Sequence, residues 1–389
     1  MGFRILTLNQ ISRKGLDRLP RDRYVVGPAI SDPDAILVRS ADMHAVEIPS
    51  SVRAVGRAGA GTNNIPVARL SQRGVPVFTA PGANANAVKE LVLAGLFLAA
   101  RHICEAWYFV RGLEGDGEAL EAAVEQGKKR FVGHELPGRT LGVIGLGAIG
   151  VEVANAAHLL GMHVLGYDPQ ITVQRAWQLS SGVEQAASLE DLCARSDFVT
   201  LHVPMTDATR GMINARRIGL MRKGATLLNF ARAAIVDEAD MIAALDSGRL
   251  AAYVCDFPTP RFKDHARVIA LPHLGASTSE AEENCAVMVA DTLRDFLENG
   301  NIRHSVNFPE ASLPRIPATA RIAIVNSNVP NMVGQISTSL AQAGLNIADL
   351  LNKSKGEIAY TLIDIDGQVP AGLVGRIGLI AGVLSARAV

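Results

Sequence analysis

Short apolar runs alternate with helical stretches over roughly the first 90 residues. The runs at 3–8, 35–40, 52–59 and 75–80 read as strands, each bounded by Gly, Pro, Asp or Asn. Alternation of this kind implies βαβ units around a parallel sheet. Residues 84–100 read as a helix with a nearly all-apolar face, and the polar, Gly-rich stretch 101–139 as a connecting excursion outside the core. A second series of strands follows at 140–145, 163–168, 197–204, 225–231, 251–257 and 267–273, most of them separated by helical segments. A long helix is expected over 278–298, with Ala286, Val289, Ala290, Leu293 and Leu297 on one face and Asn299-Gly300-Asn301 closing it. Pro309, Pro314 and Pro317 mark 307–317 as a linker. The remaining segment has the order β-α-β-β-α-β, a small ferredoxin-like module over 318–389.

Composition narrows the function classes. The 389 residues are enough for two or three domains, and 48% hydrophobic against 20% charged excludes disorder for most of the chain. Lys and Arg number 38, as do Asp and Glu, so the chain lacks the basic excess of a nucleic-acid or anionic-membrane binder. Any anionic ligand must therefore be held by local basic residues. Cys104, Cys193, Cys255 and Cys285 are scattered without a CxxC pair. That argues against a disulfide scaffold and a structural zinc site, and fits a reducing cytoplasm. No metal is expected. The first ten residues have no signal-peptide character. The longest apolar run, Leu91–Ala100, falls short of the roughly 18–20 residues that span a bilayer.

Two motifs carry chemistry. Gly145-Leu146-Gly147-Ala148-Ile149-Gly150 follows a strand and opens a helix. In a dinucleotide fingerprint the first glycine makes the turn, the second admits a pyrophosphate and the third lets helix and strand pack closely. Phosphates then lie at the helix N-terminus. Asp168 ends the next strand, 18 residues past Gly150. A carboxylate there accepts from the adenosine ribose hydroxyls and repels a 2′-phosphate, which favours NAD over NADP. The second motif is a pair of strand ends. Arg232, in Asn229-Phe230-Ala231-Arg232, lies where ligands bind open α/β sheets, and its guanidinium suits a carboxylate. His273, in Leu271-Pro272-His273-Leu274-Gly275-Ala276, follows a Pro-broken strand end and has the pKa range of a general base.

With these residues the chain resembles the D-2-hydroxyacid dehydrogenase family, and within it the branch that oxidises phosphoglycerate. The resemblance rests on Val38-Arg39-Ser40, the stretch from Gly56 to Ile65, the stretch from Ala80 to Glu90, the fingerprint, His202-Val203-Pro204, Asn229 to Glu238 and Pro272 to Thr278. The C-terminal module resembles an ACT domain. The resemblance implies an α/β fold of two doubly wound Rossmann-like domains plus that module: a substrate domain at 1–92 and 281–306, an NAD-binding domain at 93–280, a linker at 307–317 and a regulatory ACT domain at 318–389. It implies oxidation of 3-phospho-D-glycerate with NAD, the first step of L-serine biosynthesis, with His273 taking the C2 hydroxyl proton and Arg232 holding the carboxylate. It assigns His202, Val203, Pro204, Phe230, Ala231, Gly275 and Ala276 to the cofactor, and Asp256 to the nicotinamide carboxamide. Arg39, Ser40, Arg57, Ala58, Gly59 and Asn84 fall at substrate-contacting positions.

One departure stands out. The family carries a Glu shortly after the Asp-x-Phe motif, which pairs with the histidine. Here Asp256 to Asp264 contains none. Asp264 is the candidate replacement; His273 without a carboxylate partner is the alternative. Within the module, Asn326, Asn328 and Asn346 occupy expected L-serine effector positions, with a purely oligomerising module as the rival reading. Lys128-Lys129-Arg130 favours a phosphorylated substrate, against a solvated basic face. Competing functions are a reductase of glyoxylate, hydroxypyruvate or 2-oxoglutarate, and a non-catalytic NAD sensor that binds partner proteins. The family also implies a homodimer or homotetramer.

Overall fold

The computed structural model describes residues 2–317 and 319–389. The chain forms two compact units, one from Met1–Ala83 with Ser279–Val389 and one from Asn84–Thr278. The second unit is therefore inserted in the sequence of the first and includes the apolar helix at 84–100, which packs on its sheet.

In chain order the first unit opens with five strands, β1 (Phe3–Leu8), β2 (Tyr24–Gly27), β3 (Ala35–Val38), β4 (Ala54–Arg57) and β5 (Val77–Phe78). They form a parallel sheet in the order β2-β1-β3-β4-β5. Every residue of β3 is buried, which is why its sequence, AILV, is continuously apolar. The sequence pattern missed β2, a four-residue edge strand beside Arg21-Asp22-Arg23.

The inserted unit opens with α1 (Ala85–Ala100), followed by α2 (Ile103–Arg111). Gly95 of α1 lies so close to Leu228, Phe230 and Val254 that a Cβ there would press on all three. The connecting stretch 101–139 holds α2, a helix over Gly117–Gly127 and a 3-10 turn over Lys128–Phe131. No residue of α2 is buried, so its aromatic residues supplied no core signal.

Seven parallel strands make the sheet of this unit: β6 (Thr140–Ile144), β7 (His163–Tyr167), β8 (Val183–Gln185), β9 (Phe198–Leu201), β10 (Ala225–Asn229), β11 (Leu250–Cys255) and β12 (Val268–Ala270). Their order is β12-β11-β10-β9-β6-β7-β8. The direction of winding reverses between β6 and β9, the place where such sheets bind ligands at their carboxyl ends. The helix after β6 is α3 (Ala148–Leu159).

The chain returns to the first unit through α4 (Ser279–Asn299). The C-terminal module follows as β13 (Thr319–Ser327), α5 (Met332–Gln342), β14 (Ile347–Lys355), β15 (Ile358–Asp366), α6 (Leu373–Gly378) and β16 (Val383–Ala388). Its antiparallel sheet has the order β14-β15-β13-β16. One face of β13 and β15, with Ile322, Ile324, Ile363 and Ile365, packs on α5 and α6. The other face, with Ala323, Val325, Tyr360 and Leu362, joins the core formed by α4 and the first sheet, including Phe78, Phe296, Leu297 and Phe308.

The stretch expected as a linker at 307–317 is thus largely a packed strap. Phe308, Ala311 and Leu313 are buried, and Ala311 pairs with Ile302. Side chains of the module also cap the carboxyl end of α4, whose last carbonyls have no partner within the helix. Arg387 donates to the Phe296 and Leu297 carbonyls, Arg321 to that of Asn299, and Tyr360 to that of Gly300. Burial pushes the Tyr360 hydroxyl up to about 12, so it remains a donor. Arg321, fully buried, completes its donor set with the Asp364 carboxylate at 2.6 and 2.7 Å and the carbonyls of Leu313 and Pro314.

Candidate active site

The fingerprint turn joins β6 to α3. Gly145 has φ 91°, and a Cβ there would lie 2.7 Å from the His202 carbonyl oxygen. A Cβ on Gly150 would lie 1.9 Å from the Gly145 carbonyl oxygen, so only glycine permits this approach of helix to strand. A Cβ on Gly147 would meet nothing within 4 Å, which leaves its backbone open to a ligand at the N-terminus of α3. Asp168 follows β7. One carboxylate oxygen accepts from the Leu146 N–H at 2.9 Å, inside the fingerprint, and the other from the Gln170 N–H at 2.9 Å. The carboxylate therefore braces the turn. An open backbone cradle beside an acidic residue one strand away fits a dinucleotide without a 2′-phosphate.

His202, Val203 and Pro204 follow β9, next to the fingerprint. The His202 Nε2 lies 2.9 Å from the Thr200 hydroxyl, and burial lowers its pKa to about 3. Burial thus keeps the ring in its neutral form at physiological pH.

Arg232 stands exposed on the loop after β10, with its guanidinium on the Ala231 carbonyl at 2.6 Å. The loop is held by Asn229, which is fully buried. Its side-chain N–H groups donate to the Arg232 carbonyl at 2.9 Å and the Tyr253 hydroxyl at 3.2 Å, and its side-chain oxygen accepts from the Ala231 N–H at 3.1 Å. Phe230, Ala231 and Arg232 thus owe their places to a residue not counted among the site residues at the outset. The signal for it was a carboxamide closing an otherwise apolar strand.

His273 lies on the turn after β12, exposed and in the left-handed region at φ 57°. Asp256 builds this turn. It is 1% exposed, and its two oxygens accept from the N–H groups of Leu274 and Gly275 at 2.7 and 2.8 Å. The Asp256 N–H in turn donates to the Asn229 carbonyl at 3.2 Å. One chain of hydrogen bonds therefore ties the Arg232 loop to the His273 turn. Asp256 therefore positions the His273 turn, and each of its oxygens keeps further acceptor capacity. The Phe257 ring meets the His273 ring edge-on, with centroids 5.2 Å apart. Gly275 is buried behind the histidine and Ala276 is exposed.

Asp264 does not pair with His273. Its side chain is exposed and paired with Lys263, in the wall of a surface cavity of about 930 Å³ shared with Trp107 and Tyr108. Among the described residues no carboxylate oxygen lies within 4.0 Å of a His273 ring nitrogen. Lys128 and Arg130 are also engaged locally, the first with Glu125 and the second over the rings of Phe109 and Phe131.

In the first unit Arg39 and Arg57 stand at the carboxyl ends of neighbouring strands β3 and β4. The Arg57 Nε donates to the Arg39 carbonyl at 3.2 Å, and Asn64 donates to the carbonyls of Arg39 and Ala41. A Cβ on Gly59 would lie 2.6 Å from an Arg57 guanidinium nitrogen, so glycine keeps that face clear. Ala58 is buried and Ser40 exposed. The Arg39 guanidinium is paired with Glu282 in the first turn of α4. Asn84 precedes α1 as its N-terminal cap residue, in the other unit, without a side-chain capping bond.

The three asparagines of the module do not meet within one chain. Asn326 is buried on β13 and donates to the Ser327 carbonyl, while its side-chain oxygen has no partner. Asn328 bonds the Gly356 carbonyl next to it. Asn346 bonds Asp366 at the opposite end of the same sheet.

Residues 93–275 match the family model described as "D-isomer specific 2-hydroxyacid dehydrogenase, NAD binding domain". The chain is 33% identical over 356 residues to the D-3-phosphoglycerate dehydrogenase of Haemophilus influenzae, covering 88% of this chain and 82% of that one. The chain belongs to the D-isomer specific 2-hydroxyacid dehydrogenase family. As a member it is an NAD-dependent dehydrogenase. The D-3-phosphoglycerate dehydrogenase of Methanocaldococcus jannaschii is 35% identical over 86% of this chain, which spans 62% of that relative's length. An NAD+-bound 3-phosphoglycerate dehydrogenase from Entamoeba histolytica aligns with a TM-score of 0.60 at 25% identity, over 79% of this chain and 99% of that one.

Proposed function

We propose that the chain oxidises 3-phospho-D-glycerate to 3-phosphohydroxypyruvate with NAD, the first step of L-serine biosynthesis. The observation that carries the reading is the set of strand-end residues in the inserted unit: an open fingerprint, an exposed Arg232 and an exposed His273, joined through Asn229 and Asp256. The names of the relatives point to the phosphorylated substrate, and the Arg39–Arg57 pair supplies the local positive charge that a neutral chain needs for it.

Bound NAD would accept the hydride from C2. His273 takes the C2 hydroxyl proton on its ring nitrogen, its orientation set by Phe257 and the turn built on Asp256. Arg232 binds the substrate carboxylate and stabilises the carbonyl as it forms. Neutral His202 adds no charge beside the cofactor. Arg39 and Arg57 bind the phosphate.

The C-terminal module is read as an ACT-like domain that pairs with a second copy and binds L-serine there. Its β-α-β-β-α-β order and the unpartnered Asn326 oxygen support that reading. Exposed Trp107, Tyr108 and Val110 on α2 fit a second copy of the chain, hence a homodimer or homotetramer. Among the described residues no helix is long and apolar enough to cross a membrane. The four cysteines are free thiols, which suits a reducing cytoplasm.

The deciding experiment mixes the protein with NAD and 3-phosphoglycerate and follows NADH. Formation of NADH that falls ~10²–10⁴-fold in His273→Ala supports the reading. No NADH from 3-phosphoglycerate, with turnover of another 2-hydroxy acid, moves the chain to a sister activity.

A further inference from the structure

We propose that Glu282 sets the charge specificity of the substrate site by holding part of the Arg39 guanidinium against the incoming phosphate. The inference rests on the proposed reading of Arg39 as a phosphate ligand. Arg39 ends β3 and Glu282 lies in the first turn of α4, and their side chains are about equally exposed, 41% and 40%. The pair is therefore open to ligand. One turn further along α4, buried Cys285 lies close enough to Arg39 and Arg57 for both to oppose the rise of its pKa caused by burial. The Arg57 Nε donates to the Arg39 carbonyl. Arg39, Arg57, Glu282 and Cys285 are thus neighbours, and Glu282 is paired with Arg39.

The consequence follows from charge. A phosphate monoester carries about −1.5 to −2 near neutral pH, so it and Glu282 are like charges competing for one guanidinium. Each phosphate bound to Arg39 either displaces Glu282 or sits beside it in a partly exposed, partly screened setting. Glu282 therefore taxes a dianionic substrate and leaves an unphosphorylated 2-hydroxy acid nearly untouched. It also makes phosphate release easier, because a carboxylate waits to re-pair with Arg39.

The test compares wild type, Glu282→Gln and Arg39→Ala with 3-phosphoglycerate and with D-glycerate, and titrates inorganic phosphate by calorimetry. Glutamine keeps the size of the side chain and one acceptor oxygen for Arg39, and removes the charge. The expected result is a KM for 3-phosphoglycerate at least about threefold lower in Glu282→Gln, tighter binding of inorganic phosphate, and a higher ratio of kcat/KM for 3-phosphoglycerate over D-glycerate. A raised KM, or equal changes for both acids, overturns the proposal and leaves Glu282 as a prop for Arg39. If Arg39→Ala raises the KM for 3-phosphoglycerate while Glu282→Gln does not lower it, the inference fails and the reading of Arg39 stands. If Arg39→Ala leaves that KM unchanged, the reading of Arg39 and the inference fall together.

Discussion

The Asp168 carboxylate braces the fingerprint through the Leu146 N–H, and in the proposed reading its charge also faces the place of a 2′-phosphate. Asp168→Ala should raise NADP use relative to NAD by about tenfold, and loss of the brace should also weaken NAD binding. Coenzyme titrations check both; equal use of the two coenzymes by wild type would remove the ribose assignment. His202 gives a stability prediction. Burial lowers its pKa from 6.5 to about 3, so the unfolded chain binds the proton more readily. The stability this histidine contributes is complete above pH 6.5 and is lost as the pH falls toward 3. Denaturant unfolding at pH 7 and pH 5 should show a loss smaller in His202→Asn than in wild type, by on the order of 1–2 kcal/mol. His273 without a carboxylate partner predicts that Asp264→Asn leaves the pH–rate profile unchanged. The family's glutamate was legibly missing from the sequence, whereas its replacement was not readable, since Asp264 lies close in sequence and points to Lys263.

Elements show why some residues were legible and others were not. The fingerprint, Arg232 and His273 each sit on a strand end with its own turn chemistry, so sequence spacing located them. Asn229 opens the same motif as Arg232, yet its role needs the return of Asp256 and Tyr253 from the next strand. Glu282 had no local signal, because its meaning comes from α4 crossing the end of β3. The ends of α4 matter most. Its carboxyl end is closed by Arg321, Arg387 and Tyr360 from the module. Arg321 and Asp364 are fully buried and mutually satisfied, so removing one partner leaves a charge in the core. Asp364→Ala should cost on the order of 3–5 kcal/mol and loosen the strap at 307–317. Urea unfolding with limited proteolysis near Arg315 checks this, and unchanged stability would mean the carbonyls of Asn299, Leu313 and Pro314 suffice for Arg321.

At the scale of the whole molecule, the three prolines at 307–317 suggested a linker, and packing made most of it part of the core. A proline-rich stretch excludes helix but says nothing about burial, and Phe308, Ala311 and Leu313 turn this one into core. The module's second sheet face completes the same hydrophobic cluster as Phe78, Phe296 and Leu297. A chain cut after Pro317 would uncover that surface and leave the last carbonyls of α4 unpaired, along with the apolar side chains under Tyr360 and Leu362. The expected outcome is an aggregation-prone, poorly active product and not a deregulated enzyme, because α4 also carries Glu282 and its contact with Arg39. Size-exclusion chromatography and NADH formation decide the matter. A monodisperse, fully active truncation would show that the core closes without the module. For the same reason serine control is better tested by Asn346→Ala in the intact chain. Asn346 lies at the far end of the sheet, bonded to Asp366 and outside the shared core. Inhibition by millimolar L-serine in wild type that weakens at least tenfold in Asn346→Ala would support the effector reading, at a coupling of about 1–3 kcal/mol. An intact enzyme indifferent to serine would leave the module as a structural lid on α4 and the first sheet.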